Sequence, residues 1–235
     1  MDATALRAMQ APIKERYKGD PGAAMITLRA KGSIDEANIA CKVETGRALA
    51  VAGLHPATGG SGLELCSGDM LLEALVACAG VTLKAVSTAL DIPLKARGSI
   101  DDTGIACKVE TGRALAVAGL HPATGGSGLE LCSGDMLLEA LVACAGVTLK
   151  AVSTALDIPL KSGHVSAEGD LDFRGTLGVA KDAPVGFAQI RLTFDVDTDA
   201  PQEKLDQLLK LTERYCVVYQ TIRNGPPVAI KMQRV

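Results

Sequence analysis

The chain has no tryptophan, three phenylalanines and three tyrosines among 235 residues. Any core it builds must therefore be aliphatic. It also lacks the ~20-residue apolar run that a membrane-spanning helix needs. Its longest charge-free apolar stretch is Ala74–Leu83, copied at Ala140–Leu149. Lys and Arg (24) do not outnumber Asp and Glu (27), and the net charge is −3. That balance argues against a nucleic-acid face, which requires clustered basic residues. Met1–Lys18 mixes charges with short apolar stretches, so it has no signal-peptide h-region. No Cys-x-x-Cys occurs, and no Cys/His cluster has zinc spacing. These absences lead us to expect a soluble cytoplasmic protein with no metal or other resident cofactor, no nucleic-acid partner and no membrane partner.

What is present is a repeat. Residues 39–95 recur unchanged as residues 105–161. Upstream the likeness fades into Ile26–Asp35 against Ile92–Asp101, and downstream it ends at Ser162. Units that have long served as separate structures drift apart, so identity points to a recent in-frame duplication or an engineered repeat. Two copies are also too few for a stacked repeat array. We expect one domain over residues 1–235, in which units 32–97 and 98–163 are duplicates and 164–235 occurs once. One copy is expected to pack with the single-copy half. The second copy (joined directly to that half) is the first choice, and the alternative keeps the first copy with its leading strand. The spare copy is expected to fill a neighbouring site by swapping or pseudo-symmetry, giving at least a homodimer.

Alternation predicts strands over Met25–Ile34, Ile39–Glu44 and Ala48–Leu54, with Leu54–Gly62 a loop. His55 in that loop reads as local structure. A helix follows, with Ser67 as N-cap and Asp69 and Glu73 near its positive end. It continues to Asp91 and stops at Ile92-Pro93. Its middle is uncharged on every face, which requires burial nearly all round. In the single-copy half, strands are predicted over His164–Phe173 and Ile190–Val196, joined through Arg174–Gly186. Pro201 suits the first position of a helix whose stripe is Leu205, Leu208, Leu209 and Leu211. That helix runs into Glu213–Val218, and Val228–Met232 makes a last short strand. The fold class is α+β: antiparallel sheets around a buried central helix, with a duplicated hairpin–helix segment.

The seven cysteines are Cys41/Cys107, Cys66/Cys132 and Cys78/Cys144, each counted twice, plus Cys216. Cys41 shares the Ile39/Val43 face and reads as core filler. Cys78 and Cys144 lie too far along their helix for its dipole to acidify them. Burial would raise the pKa of either thiol, so a reactive one needs a cation brought in by the fold, such as an Arg held by a carboxylate. On spacing alone, an inert thiol and a redox pair with Cys216 both stay open.

The run Asp69-Met70-Leu71-Leu72-Glu73-Ala74-Leu75-Val76-Ala77-Cys78 is followed far downstream by Leu208-Leu209 and Glu213-Arg214-Tyr215-Cys216. This pattern resembles the OsmC/Ohr family, the osmotically inducible and organic hydroperoxide resistance proteins, from about Ile26 to Met232 once one repeat is removed. The resemblance implies a thiol peroxidase built as an intertwined homodimer. Carried over by position, Cys144 or Cys78 is the peroxidatic cysteine and Cys216 the resolving one. An organic hydroperoxide is the substrate, and an external dithiol is the reductant. Where the peroxidase members open this helix with Asn-Pro-Glu, the chain has Cys66-Ser67-Gly68-Asp69. That leaves Asp69 or its copy Asp135 as the carboxylate, with Arg16, Arg29 and Arg47 as candidate partners. The alternatives are an OsmC-like stress-associated binding domain without turnover, and a duplication variant of mainly structural interest.

Overall fold

Alternation in the first third of the chain is realised as β1 (Met25–Ile34), β2 (Ala40–Glu44) and β3 (Leu49–Gly53), with a short β4 (Leu65–Cys66). A computed structural model describes residues 2–35, 39–44, 49–92, 106–110 and 115–233. Before β1 runs α1 (Ala3–Gly19), which the sequence reading left unassigned. Then come α2 (Ser67–Ala89), β5 (Ala106–Glu110), β6 (Leu115–Gly119) and α3 (Ser133–Ala155). The single-copy half supplies β7 (Ser162–Asp172), the single turn α4 (Phe173–Thr176), β8 (Phe187–Asp197), α5 (Gln202–Tyr215) and α6 (Val217–Asn224). The protein is mixed α+β.

Six strands form one sheet in the order β4-β3-β2-β1-β7-β8, antiparallel except for β3 and β4. The register pairs Gly32 with Val43 on one side of β1 and with Val165 on the other. This brings Leu28, Ala30, Val43, Val165 and Ala167 into one core with Leu138, Leu141 and Val142 of α3. The outer face of the same strands carries charge: Arg29 pairs with Glu168, and Arg191 bridges Glu168 and Asp170. A second sheet holds only β5 and β6. Against it lie Ala74, Ala77 and Val81 of α2, sharing a smaller core with Cys107, Val109 and Ala118.

The repeat is therefore not used as two units, which corrects the expectation that one whole copy would pack with the single-copy half. The hairpin of the first copy packs under the helix of the second, and the helix of the first covers the hairpin of the second. Chain connection explains the choice. The first hairpin follows β1 directly and the second helix leads directly into β7, so each keeps its neighbour, and α2 with β5–β6 becomes the inserted remainder. The exchange is reciprocal at two glycines. A methyl on Gly146 would stand 2.4 Å from Cys41 Sγ, and one on Gly80 would stand 2.3 Å from Cys107 Sγ. Such overpacking costs roughly 1–3 kcal/mol. We expect Gly146→Ala to lower the urea midpoint accordingly; an unchanged midpoint would mean that α3 does not lie on β2.

One sequence in two settings gives two burial patterns. Fourteen residues of α3 are buried, against five of α2. Contrary to the reading from the longest charge-free run, both helices are apolar enough by length and composition to cross a membrane, but α3 is mostly buried in the protein core. Each ends in the same Schellman turn. At α3, Ile158 N–H donates to Ser153 O and Asp157, at φ 53°, to Thr154 O.

Three boundaries differ from expectation. Ser67 is the first helical residue rather than the cap; Cys66 holds the N-cap position without a side-chain bond. Pro201 is the N-cap of α5, one residue before its first turn. Residues 228–232 form no strand, and Val228, Ile230 and Met232 are exposed. Pro226 and Pro227 withhold two backbone donors at its entry, and no described strand pairs with it. Alternation without a sheet edge does not make a strand.

Candidate functional site

Cys144 stands at the twelfth residue of α3, far beyond the reach of that helix's own dipole. Apart from its own helix, its surroundings come from two other places in the chain. Cys216 occupies the break between α5 and α6, with extended dihedrals (φ −70°, ψ 104°) that end one helix and begin the next. Its N–H closes α5 on Thr212 O at 3.0 Å, and its carbonyl accepts from Gln220 N–H at 2.9 Å. The side chain thus sits where α6 presents unpaired N–H groups. Both cysteines are buried, Cys144 at 5% exposure and Cys216 at 1%.

The Cys216 thiol donates a hydrogen bond to the Cys144 sulfur, and this is the main reason that the Cys144 pKa falls. Burial opposes the shift. The Ser67 hydroxyl, the Val218 N–H at the start of α6 and the Thr148 hydroxyl support it. Cys216 moves the other way, because its proton is held by Cys144 and it is buried. Two thiols sharing one proton titrate as a pair, the first ionisation early and the second late. Cys144 takes the negative charge because it has the larger set of donors. Ser67 belongs to the first copy and Cys144 to the second, so the helix exchange itself completes the site.

No other cysteine has this environment. Burial pushes Cys41 up to about 12 and raises Cys107. Cys132 is raised by burial and by the charge of Asp135. Cys78, the copy of Cys144, is exposed. The structure thus brings Cys144, not Cys78, to Cys216.

Of the carboxylates and arginines anticipated from sequence, those among the described residues do not assemble there. Asp69 lies exposed in the first turn of α2. Asp135 is in the first turn of α3, its carboxyl raised by burial, and it acts on Cys132. Arg29 pairs with Glu168 outside the sheet, and Arg16 is exposed on α1. Arg47 lies outside the described residues. Among the described residues, it is neutral donors and the N-terminus of α6 that surround the Cys144 sulfur. Sequence reasoning missed Ser67, Val218 and Thr148. Only Thr148 was legible, one turn beyond Cys144. It also passed over Glu139, a carboxylate of α3 buried at 7% exposure.

An apolar cavity of about 650 Å³ opens beside the pair. Leu141, Ala145 and Leu149 of α3 line it together with Leu192 and Phe194 of β8, Leu205 and Leu208 of α5, and Cys216. Leu141 and Ala145 flank Cys144 on its helix, so a molecule in the cavity lies against both cysteine-bearing segments. Among the described residues no group of His, Cys, Asp and Glu is placed to hold a metal. His55 and His121 each accept an N–H two residues on, from Ala57 and Ala123, and His121 stacks on Phe173.

The pH dependence of alkylation follows from these partners. Iodoacetamide labelling of Cys144 is expected to fall only when pH drops through a midpoint well below the ~8.5 of a free thiol. Cys216→Ala, which removes the largest cause, is expected to move that midpoint up. A wild-type midpoint at or above ~8.5 would contradict the geometry.

Residues 125–231 match the family model described as OsmC-like protein. Among solved structures, the chain is similar to an OsmC-like protein from Mycoplasma pneumoniae. The TM-score is 0.46 at 12% identity, over 56% of this chain and 91% of that one. It is also similar to an OsmC-like hydroperoxide resistance protein from Jannaschia sp. CCS1. There the TM-score is 0.45 at 9% identity, over 90% of this chain and 95% of that one. No curated protein matches it significantly in sequence.

Proposed function

We propose that this chain, whose residues 125–231 form an OsmC-like domain, is a thiol peroxidase that reduces organic hydroperoxides. One observation carries the reading: a buried Cys144, acidified by the thiol of Cys216, beside an apolar cavity. The Cys144 thiolate attacks the terminal peroxide oxygen. The O–O bond breaks, the alcohol leaves with a proton, and Cys144 becomes a sulfenic acid. Cys216 then attacks the sulfenic sulfur, forming the disulfide and releasing water. An external dithiol restores both thiols by exchange. The net change is one hydroperoxide and one dithiol converted to an alcohol, water and a disulfide. An apolar cavity suits an alkyl hydroperoxide better than hydrogen peroxide.

The test is consumption of cumene hydroperoxide with dithiothreitol. Turnover well above the protein-free rate, and slower with hydrogen peroxide, is the expected result; a rate equal to the blank rejects the reading. Burial of both cysteines favours a second reading, an OsmC-like domain that binds an apolar ligand without turnover. That reading calls for a Cys144 pKa at or above the free-thiol value.

The reading includes a homodimer. Leu72, Leu75, Val76, Leu83 and Val86 of α2 are exposed and share a helix with no charge between Glu73 and Lys84. Such a patch is a site of association. Light scattering is expected to give twice the 24.2 kDa chain mass; a monodisperse monomer would exclude it.

A further inference from the structure

Leu72, Leu75, Val76, Ala79, Leu83 and Val86 recur at helical spacing on one face of α2, and all six are exposed. The same six positions of α3 are buried, Leu141 at 2% exposure against 53% for Leu75. The single-copy half supplies most of that cover. Leu141 and Val142 share a core with Val165 and Ala167 of β7 and with Cys216, and Leu149 and Val152 share one with Phe194 of β8 and Leu208 of α5. β1 adds Leu28 and Ala30; most of its likeness, residues 93–101, lies outside the described residues. In other respects the surroundings of α2 repeat those of α3. Gly80 lies on Cys107 of β5 as Gly146 lies on Cys41 of β2. Ala118 and Leu131 form the parallel bridge that Ala52 and Leu65 form in the first copy. Cys144 meets Ser67 of the other copy, and Cys132, the neighbour of Ser133, feels the charge of Cys78. Among the described residues, α2 is a second α3 without a β7, β8 and α5 of its own.

We propose that this face of α2 is a second docking site for the single-copy half, residues 162–235, borne by another polypeptide, and that docking sets the incoming half's Cys216 against Cys78. The fit follows from identity: the face that takes this half on α3 has the same sequence on α2. The chain's own half already lies on α3. A second copy of the chain brings two more helices and only one more half, so it cannot cover α2 without baring an α3. The partner is therefore a half with no helix of its own to cover. Where only copies of this chain are present, α2 faces are left to each other, which is the homodimer reading, and a free half competes with that contact. Docking rests on packing alone, while reactivity of the new thiol pair rests on the peroxidase reading.

The test keeps the full chain and extends it after Val235 by a Gly/Ser linker and a second copy of residues 162–235. A linker of about 20 residues spans about 25 Å on average and holds the added half near α2 at millimolar effective concentration. Cys144→Ser and Cys216→Ser in the original chain leave Cys78 and the added half's Cys216 as the pair that docking can join. Diamide, which takes up the two electrons and two protons released when a disulfide forms, is added, and the linkage is mapped by mass spectrometry. Linkage of Cys78 to the added half's Cys216 is expected, at least about tenfold more than with Leu75→Asp, whose charge would be buried in the docked face. If Leu75→Asp fails to fold, Val86→Asp puts the same charge on the same face and must give the same loss. No linkage, or equal linkage in the aspartate variant, would overturn the proposal. So would a dimer of the extended chain that Leu75→Asp dissolves in light scattering, because a second copy would then hold α2. Cumene hydroperoxide in place of diamide is expected to give the same linkage, one hydroperoxide and two thiols yielding the alcohol, water and the disulfide. Diamide linkage without hydroperoxide linkage would tell against the peroxidase reading and leave the docking site standing.

Discussion

Cys144→Ser is expected to reduce hydroperoxide turnover to the protein-free rate, while Cys78→Ser leaves it within about twofold. The two residues occupy the same place in identical sequence, so the contrast isolates what the fold adds. Around Cys144 the chain assembles Cys216, Ser67, Thr148 and the Val218 N–H; Cys78 is left exposed. A thiolate, not a thiol, attacks the peroxide. Cys216→Ser should differ from both: one equivalent of peroxide is consumed and a sulfenic acid accumulates, detectable with dimedone. Equal losses from Cys144→Ser and Cys78→Ser in the turnover assay would mean that the copies are interchangeable and that the exchange of helices is wrong.

The second large contrast is in stability. Leu138→Ala is expected to cost about 2–5 kcal/mol, the range for emptying a packed leucine site. Leu138 is fully buried against the six-stranded sheet. Its copy Leu72 is 60% exposed in the single chain, and Leu72→Ala, measured at protein concentrations below the dimer dissociation constant, is expected to stay within about 0.5 kcal/mol. Urea unfolding of the two variants measures the difference. Similar losses would show that α2 is as deeply packed as α3, and that the insertion has found its own cover.

Much of the frame was readable from the sequence, because alternation is a local property. β1, β2, β3, β7 and β8 fall within a few residues of the predicted runs. The uncharged middle of the helix demanded burial, and α3 obeys. The failures lie where the information is not local. Identical copies give no hint of which hairpin pairs with which helix; chain connectivity at β1 and β7 settles it. Val228, Ile230 and Met232 alternate but find no sheet edge. Ser67 has the composition of a cap, yet its hydroxyl serves a sulfur 77 positions along the chain.

The candidate site was legible in a different way. Nothing in the spacing of Cys144 and Cys216 brings them together; resemblance to the OsmC/Ohr pattern did. Resemblance also suggested a carboxylate and an arginine for the thiolate; among the described residues, Asp69, Asp135, Arg16 and Arg29 stand elsewhere. Asp69 and Asp135, which stand where the pattern departs from Asn-Pro-Glu, are respectively exposed and beside Cys132. Beside the thiol that the pattern marks, Cys216, the thiolate is held by groups no motif marks: two hydroxyls and a backbone N–H freed where α5 breaks at Cys216. That break appears in the sequence only as an uninterrupted Tyr215-Cys216-Val217.

Disulfide mapping tests this account most directly. The reduced protein is treated with one equivalent of cumene hydroperoxide, quenched with an alkylating agent, digested and examined by mass spectrometry. The expected product is a Cys144–Cys216 linkage, with Cys78 alkylated. Because the copies are identical from 39 to 95 and 105 to 161, Cys78→Ser is run in parallel to assign the peptide, and it must give the same linkage. Seven free thiols after treatment, or a linkage to Cys216 that disappears in Cys78→Ser, would contradict it.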